Sequence, residues 1–361
     1  LRDDANPMPF DQVIEQIDTA YGKSWHEVFA SIDPKPLGAA SIAQVHRAVL
    51  LDGTVVAVKV RRPGVAESMA EDIMLMKHLL ALGEFASNAH RDMLLSLEGF
   101  VEEIERTTAN EVDFTQELGN LVRFHGELAN EEGVTSPVAY PAYSTESVLV
   151  MEFVQGVEIS DTAALCSRGI DVDALAGRVC QSYVTQVLDS GFFHADPHPG
   201  NILVRDSEVV WIDLGMVGTL TVSERMLVGK AFTAVATGSA YLLKEAVMGL
   251  VRATGPVDHG ALLASLSRLL AKYSTAELKE INVGTVLTEV IEVLRDQNMV
   301  MTSSVTMLAR GFVTLEGVIA QISPSTSVIE IVSKHVIAQQ GDPKMLGTRV
   351  LDLVVASAAS V

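Results

Sequence analysis

Cysteine is scarce: Cys166 and Cys180 are the only two in 361 residues. Two thiols at that spacing supply neither a disulfide framework nor a zinc site, and they imply buried thiols in a reducing compartment. Basic residues are also few, 26 Lys and Arg against 46 Asp and Glu, for a formal net charge of −20. A phosphate backbone is held by clustered cations, so this balance excludes a nucleic-acid binder and disfavours purely electrostatic attachment to an anionic bilayer. No uncharged apolar run reaches the roughly 18 to 20 residues that span a membrane. The nearest approach, residues 303–322, is interrupted by Arg310 and Glu316 and reads as a core helix. No internal repeat or low-complexity tract is present, and no signal peptide is visible at the start of the given sequence.

What the chain does contain is an unusual run at its middle. His194-Ala195-Asp196-Pro197-His198-Pro199-Gly200-Asn201 is followed by a short apolar stretch and then Ile212-Asp213-Leu214-Gly215. An Asp with an Asn five positions on, then a strand ending in Asp-Leu-Gly, is the minimal equipment for phosphoryl transfer. Asp196 serves as acceptor-orienting base. Asn201 and Asp213 supply oxygen ligands for Mg²⁺, a hard cation that keeps several of its waters. The alternating His194, Asp196 and His198 could instead ligate a transition metal in a hydrolase, but no third distant ligand set accompanies them.

Other parts of a nucleotide site lie upstream. Val45, Val49 and Leu51, the turn pair Asp52-Gly53, and Thr54-Val55-Val56-Ala57-Val58-Lys59-Val60 predict a hairpin with a two-residue turn. Lys59 ends a Val-Ala-Val-Lys pattern whose ammonium pairs with phosphates and with a helix Glu. Where a phosphate-covering glycine loop is expected, the chain has Gly38-Ala39-Ala40-Ser41-Ile42-Ala43-Gln44-Val45-His46. This Ala-rich loop is stiffer than one built of glycine. Val148–Gly156 reads as a buried strand leaving into a linker, with Met151 and Glu152 where an adenine ring meets the backbone. Helical spacing at Ile73, Met76, Leu79, Leu80 and Leu82, and again at Leu94, Leu97, Phe100, Val101 and Ile104, predicts two core-facing helices inserted between residues 63 and 110. The methionines, among them Met69, Met74 and Met76, read as core filling. Val172 to Ser190 reads as a helix stopped by Gly191, and from Val222 to about Val336 the spacing is helical throughout.

Taken together, the Ala-rich loop, Val-Ala-Val-Lys, Glu111-Val112-Asp113 with Glu117, the His-Ala-Asp-Pro-His-Pro-Gly-Asn run and Asp-Leu-Gly resemble the UbiB/AarF family of atypical kinases over roughly residues 1 to 335. The resemblance implies an α+β, two-lobed protein-kinase-like fold: a small β-sheet N-lobe with a helical insertion, and a mostly α-helical C-lobe. It places an N-terminal helical extension at 1–35, the N-lobe at 36–154, and the C-lobe, with catalytic loop and metal-binding motif, at 155–361. It further implies an ATP-dependent phosphotransferase or ATPase with ATP and Mg²⁺ as cofactors. Asp196, Lys59 and Glu117 would be catalytic; Ala39, Ala40, Ser41, Lys59, Glu111, Asp113, Met151 and Glu152 would contact nucleotide; Asn201 and Asp213 would hold the metal.

The Lys59–Glu117 pair is expected to be partly exposed and therefore to add only about 0 to 1 kcal/mol to folding. The family's N-terminal Lys-x-Gly-Gln motif is absent, and the opening Leu1-Arg2-Asp3-Asp4 suggests a truncated fragment. The apolar Val350–Ala356 marks where a membrane-anchoring region of relatives would begin. Implied partners are a lipid or lipid-biosynthesis enzymes, in support of ubiquinone or other prenyl-lipid synthesis. The implied location is cytoplasmic or membrane-associated, facing a reducing compartment, with plastid and mitochondrion open. Two alternatives stand beside this reading: a small-molecule phosphotransferase of the aminoglycoside or choline kinase type, and a non-catalytic nucleotide-sensing regulator.

Overall fold

The computed structural model describes residues 6–86, 101, 105, 112–273 and 281–340. In chain order the first elements are helix α1 (Phe10–Tyr21), strands β1 (Phe29–Ile32), β2 (Gly38–Ala39), β3 (Ala43–Leu50) and β4 (Val55–Arg61), and helices α2 (Val65–Ala86) and α3 (Phe114–Leu128). Strands β5 (Val134–Thr135), β6 (Val148–Glu152) and β7 (Val157–Glu158), helices α4 (Thr162–Ser167) and α5 (Val172–Thr185), and strands β8 (Phe192–His194), β9 (Ile202–Arg205), β10 (Glu208–Trp211) and β11 (Val217–Thr219) follow. The remainder is mostly helical: α6 (Val222–Thr237), α7 (Ala240–Leu250), β12 (Val251–Ala253), α8 (His259–Tyr273), α9 (Val283–Asp296), β13 (Met299–Met301), α10 (Ser303–Ile322) and α11 (Val328–Gln340).

The chain divides into two compact units, Leu1–Gly156 with Gly200–Met216, and Val157–Pro199 with Val217–Val361. The first break falls between Gly156 and Val157. Residues 200–216, by contrast, group with the first unit and not with the helical part of the chain. The reason is strand pairing: β10 runs antiparallel to β9 and parallel to β5 of the first unit.

In the first unit an antiparallel sheet runs β1-β3-β4-β6, with β2 paired to β3. The β-branched run of β4 sends Val56, Val58 and Val60 to one face, where they join Val13 and Ile17 of α1, Phe29, Leu50 and Val150 in one core. Strand alternation therefore turns Ala57, Lys59 and Arg61 to the other face. The β3–β4 turn is longer than the expected two residues. Leu50 N–H reaches Thr54 O at 2.8 Å, leaving Leu51, Asp52 and Gly53 in the loop, with Gly53 at φ 90°. Three-residue hairpins of this kind close with a residue in the left-handed region, which glycine adopts without strain.

α2 buries Ile73, but Leu79 and Met74 are exposed, so they are not the core residues their spacing implies. The second inserted helix lies outside the described residues except for Val101, which is buried, and Glu105.

The second unit is a helical assembly with two small sheets. α5 continues through a π turn over Gln186–Ser190 and ends at Gly191, φ 72°. α10 packs on α5 and α9 and buries Val305, Leu308, Phe312, Leu315 and Ile319. Although long and apolar enough to cross a membrane by composition, α10 packs as a core helix. Its Glu316 carboxylate accepts the Val283 and Gly284 N–H groups at 2.7 Å each, capping the start of α9. Burial pushes the Cys180 thiol up to about 12, whereas Cys166 is exposed, against the expectation that both thiols are buried.

Candidate active site

In the first unit, β4 presents Lys59 and α3 presents Glu117. Asp113 begins α3, its carboxylate accepting the Thr115 N–H at 2.9 Å and the Thr115 hydroxyl at 2.7 Å. An Asp at this position satisfies an otherwise unpaired amide and sets the helix start. Arg61, two residues beyond Lys59 on the same face of β4, donates to the Val112 carbonyl and so ties the lead-in of α3 to the strand. Glu117 consequently lies in the first helical turn, directly over Lys59. Lys59 Nζ is 2.9 and 2.7 Å from the two Glu117 carboxylate oxygens and 3.4 Å from Asp213 Oδ1. The ammonium also lies 5.5 Å from the centre of the Phe114 ring.

This pair is buried. Lys59 is 7% and Glu117 5% exposed, which overturns the expectation of a weak, partly exposed ion pair. Burial pulls the Lys59 ammonium down, but the Asp213 and Glu117 carboxylates outweigh it and hold it protonated well above its ordinary range. Burial pushes the Glu117 carboxyl up, opposed by the Lys59 charge.

Asp213 reaches the cluster from the end of β10. The antiparallel β9–β10 hairpin, turned by Asp206 and Ser207 at positive φ, brings its two open ends together. The Ile212 N–H donates to Asn201 O at 2.9 Å, so the buried Asn201 and the half-buried Asp213 leave the same end of the hairpin. Asp213 itself sits at φ 60°, a left-handed conformation uncommon outside glycine and most tolerated by Asn and Asp. Asn120, one turn beyond Glu117, donates to the Leu214 carbonyl at 3.0 Å and fixes the Asp-Leu-Gly segment against α3. A Cβ on Gly215 would stand 3.3 Å from Asp213 Oδ1 and 3.6 Å from Glu117 Oε2, so glycine keeps the carboxylates clear. The donors that Asn201 and Asp213 offer are an amide and a carboxylate, the hard oxygen chemistry that Mg²⁺ takes, and this set fits the ion.

In the second unit Asp196 follows β8, which pairs with β11. The Asp196 N–H donates to His194 Nδ1 at 3.2 Å, which makes that nitrogen the acceptor and leaves the proton of the buried neutral ring on Nε2. Asp196 Oδ2 lies 3.9 Å from Arg310 of α10. Among the described residues no three His, Cys, Asp or Glu side chains converge as metal ligands.

The remaining expected contacts are located as follows. Ala39 is in β2, and Ala40 and Ser41 lead into the hairpin tip between β2 and β3. Met151 and Glu152 end β6. The Glu152 side chain holds Arg205 at 2.6 Å and the Val138 N–H at 3.1 Å, a structural use beyond that expected of it. Glu111 lies outside the described residues. The sequence reading missed Asn120 and Phe114. Asn120 shares a helix face with Glu117 at a spacing of three, a signal that becomes visible only once the helix is phased.

The ABC1 atypical kinase-like domain model matches residues 1–247 and the UbiB helical domain model residues 266–327. An uncharacterized protein from the hydrogenase 1 5' region of Clostridium pasteurianum is 33% identical over 311 residues, 86% of this chain and 58% of its own length. A probable protein kinase UbiB of Tolumonas auensis is 32% identical over 343 residues, 91% and 62% of the two chains. Protein ACTIVITY OF BC1 COMPLEX KINASE 7, chloroplastic, of Arabidopsis thaliana is 29% identical, with 88% of this chain and 46% of that protein covered. The chain thus spans about half to three fifths of the length of these relatives. A solved structure titled as the Rv3197–erythromycin complex from Mycobacterium tuberculosis has the same fold, with a TM-score of 0.69, 21% identity, and 92% and 83% of the two chains covered. The kinase-like fold, both domain matches and the buried Lys59–Glu117 pair converge: the chain belongs to the ABC1/UbiB atypical kinase-like family.

Proposed function

We propose that this chain binds Mg-ATP and transfers or hydrolyses its γ-phosphate. The observation that carries the reading is the buried Lys59–Glu117 pair with the half-buried Asp213 beside it, one cation held between two carboxylates. A charge that is expensive to desolvate is retained inside a protein when its position matters, and Lys59 is held charged and aimed by Glu117. In the proposed complex Lys59 meets the α- and β-phosphates, and Asn201 and Asp213 hold Mg²⁺. The ion, when bound, compensates the phosphate charge. Asp196 orients the acceptor, whether hydroxyl or water, and takes its proton. The Asp196 N–H bond to His194 Nδ1 fixes the backbone from which that carboxylate projects.

The family supports a role in ubiquinone or other prenyl-lipid biosynthesis, with lipid or lipid-enzyme partners at a membrane. The test is to incubate the purified protein with γ-labelled ATP and Mg²⁺, alone and with membranes, and to follow the label. Transfer to protein, lipid or water supports the reading. Absence of both Mg-ATP binding and turnover refutes it.

A further inference from the structure

The second half of the Ala-rich motif is more elaborate than a phosphate loop requires. Ala40 N–H donates to Ala43 O at 2.8 Å, which closes a tip of two residues, Ser41 and Ile42. Arg62, just beyond β4, grips that tip twice: its backbone N–H donates to Ile42 O at 2.8 Å and its Nε to Ala40 O at 2.8 Å. No peptide in the described chain is cis. In a trans peptide the carbonyl and the following N–H point in opposite directions. Drawing the Ala40 carbonyl to Arg62 therefore turns the Ser41 N–H away from Arg62, a direction that suits contact with an anion.

The same guanidinium makes a third bond. Arg62 Nη2 donates to the Asn6 carbonyl at 2.9 Å, in the segment ahead of α1. Two residues on, the buried side-chain amide of Gln44 holds Met8 at both backbone groups, accepting its N–H at 2.7 Å and donating to its carbonyl at 3.3 Å. His46 extends the chain of bonds. Its Nδ1 donates to Asp33 O at 2.7 Å, so its Nε2 accepts from Gln44 Nε2 at 2.8 Å. Residues 6–8 are thereby stitched to the tip by Arg62 and to β3 by Gln44. Arginine suits this position because its planar fork serves two carbonyls at once and stays charged behind the loop.

We infer that Arg62 is a positioning residue for the phosphates of the bound nucleotide, and that it couples the Ala-rich tip to the segment preceding α1, so that displacing that segment loosens phosphate binding. This rests on the Mg-ATP reading above. The coupling makes the segment ahead of α1 a control point for nucleotide affinity without any contact of its own with nucleotide.

The test compares Mg-ATP with adenosine by calorimetry on the parent, Arg62→Lys, Arg62→Ala, Gln44→Met and the Arg62→Ala/Gln44→Met double variant. Arg62→Ala should weaken Mg-ATP about tenfold, the scale of a lost charge-assisted hydrogen bond, and leave adenosine unchanged. Arg62→Lys, which cannot bridge both carbonyls, should fall between. Gln44→Met should act in the same direction, and its effect in the double variant should be less than additive. A general loss of folding would weaken both ligands alike, and that outcome overturns the inference. So does an Arg62→Ala affinity for Mg-ATP within about twofold of the parent, or full additivity of the two changes. A parent that binds adenosine but not Mg-ATP overturns the proposed function together with it, whereas a parent that binds Mg-ATP with an inert Arg62 overturns this inference alone.

Discussion

Replacing Lys59 with Met leaves Glu117 buried beside Asp213 with no cation. An uncompensated buried carboxylate takes up a proton, and the cost of that neutralisation sets the size of the effect. From the ordinary carboxyl value of 4.5, protonation near pH 7 spans about 2.5 pH units at about 1.36 kcal/mol each, or about 3.4 kcal/mol. Near pH 5 the same step costs about 0.7 kcal/mol. Lys59→Met should therefore destabilise the protein by about 3 kcal/mol at neutral pH, in the range for breaking one side of a buried pair. It should lose most of that deficit in mild acid. Urea unfolding at both pH values checks this, with Glu117→Gln in the same background as the control that removes the pH dependence. A deficit equal at both pH values, or below about 1 kcal/mol at neutral pH, would refute the argument that Lys59 carries the charge of Glu117.

Asp213→Asn should weaken Mg-ATP by at least about tenfold and abolish the Mg²⁺ dependence of binding, because the cation loses its carboxylate ligand; a titration showing parental affinity would remove the metal assignment. Asp196→Asn should keep Mg-ATP binding and lose turnover by on the order of 10²-fold, as general-base removal does; parental turnover with every acceptor tried would transfer the role to a different base. Burial holds the His46 imidazole below its ordinary value of 6.5, against the opposing bond to Asp33 O. The unfolded chain then binds the proton more readily, so stability is full above the unfolded value and falls as pH drops through it. His46→Gln should flatten that acid limb in denaturant titrations, and an unchanged slope would assign the limb to other groups.

The residues that carry charge chemistry were legible in the sequence because they stand in fixed spacings. Lys59 at the end of a β-branched run, Glu117 in the turn after Asp113 and Asp213 after β10 lie where strand and helix periodicity put them. What the sequence concealed depends on distances between elements. The exposure of Lys59 was misjudged because nothing in Val-Ala-Val-Lys reports that Phe114 lies across the ammonium. The bonds of Arg62 and Gln44 go to backbone carbonyls and amides, which have no sequence signature. Leu79 and Met74 follow a helical period yet face solvent, because a period of 3.6 fixes a stripe but not which neighbour covers it. The grouping of residues 200–216 with the first unit followed from a parallel pairing with β5, a contact between segments far apart in the chain that local pattern does not encode.

The left-handed backbone of Asp213 also limits what natural variation can place there. Most side chains meet a penalty of the order of 1 to 2 kcal/mol in that conformation, Asn and Asp less, and glycine none. Among single-base changes at this codon, Asp213→Gly relaxes the peptide most and discards the carboxylate. Such a lineage would gain conformational ease while giving up the carboxylate, so under the proposed function a glycine at this position in a descendant chain would mark a protein that no longer holds the ion. Measuring whether Asp213→Gly melts higher than Asp213→Ala would read directly how much of the molecule's stability is held in tension to present one carboxylate.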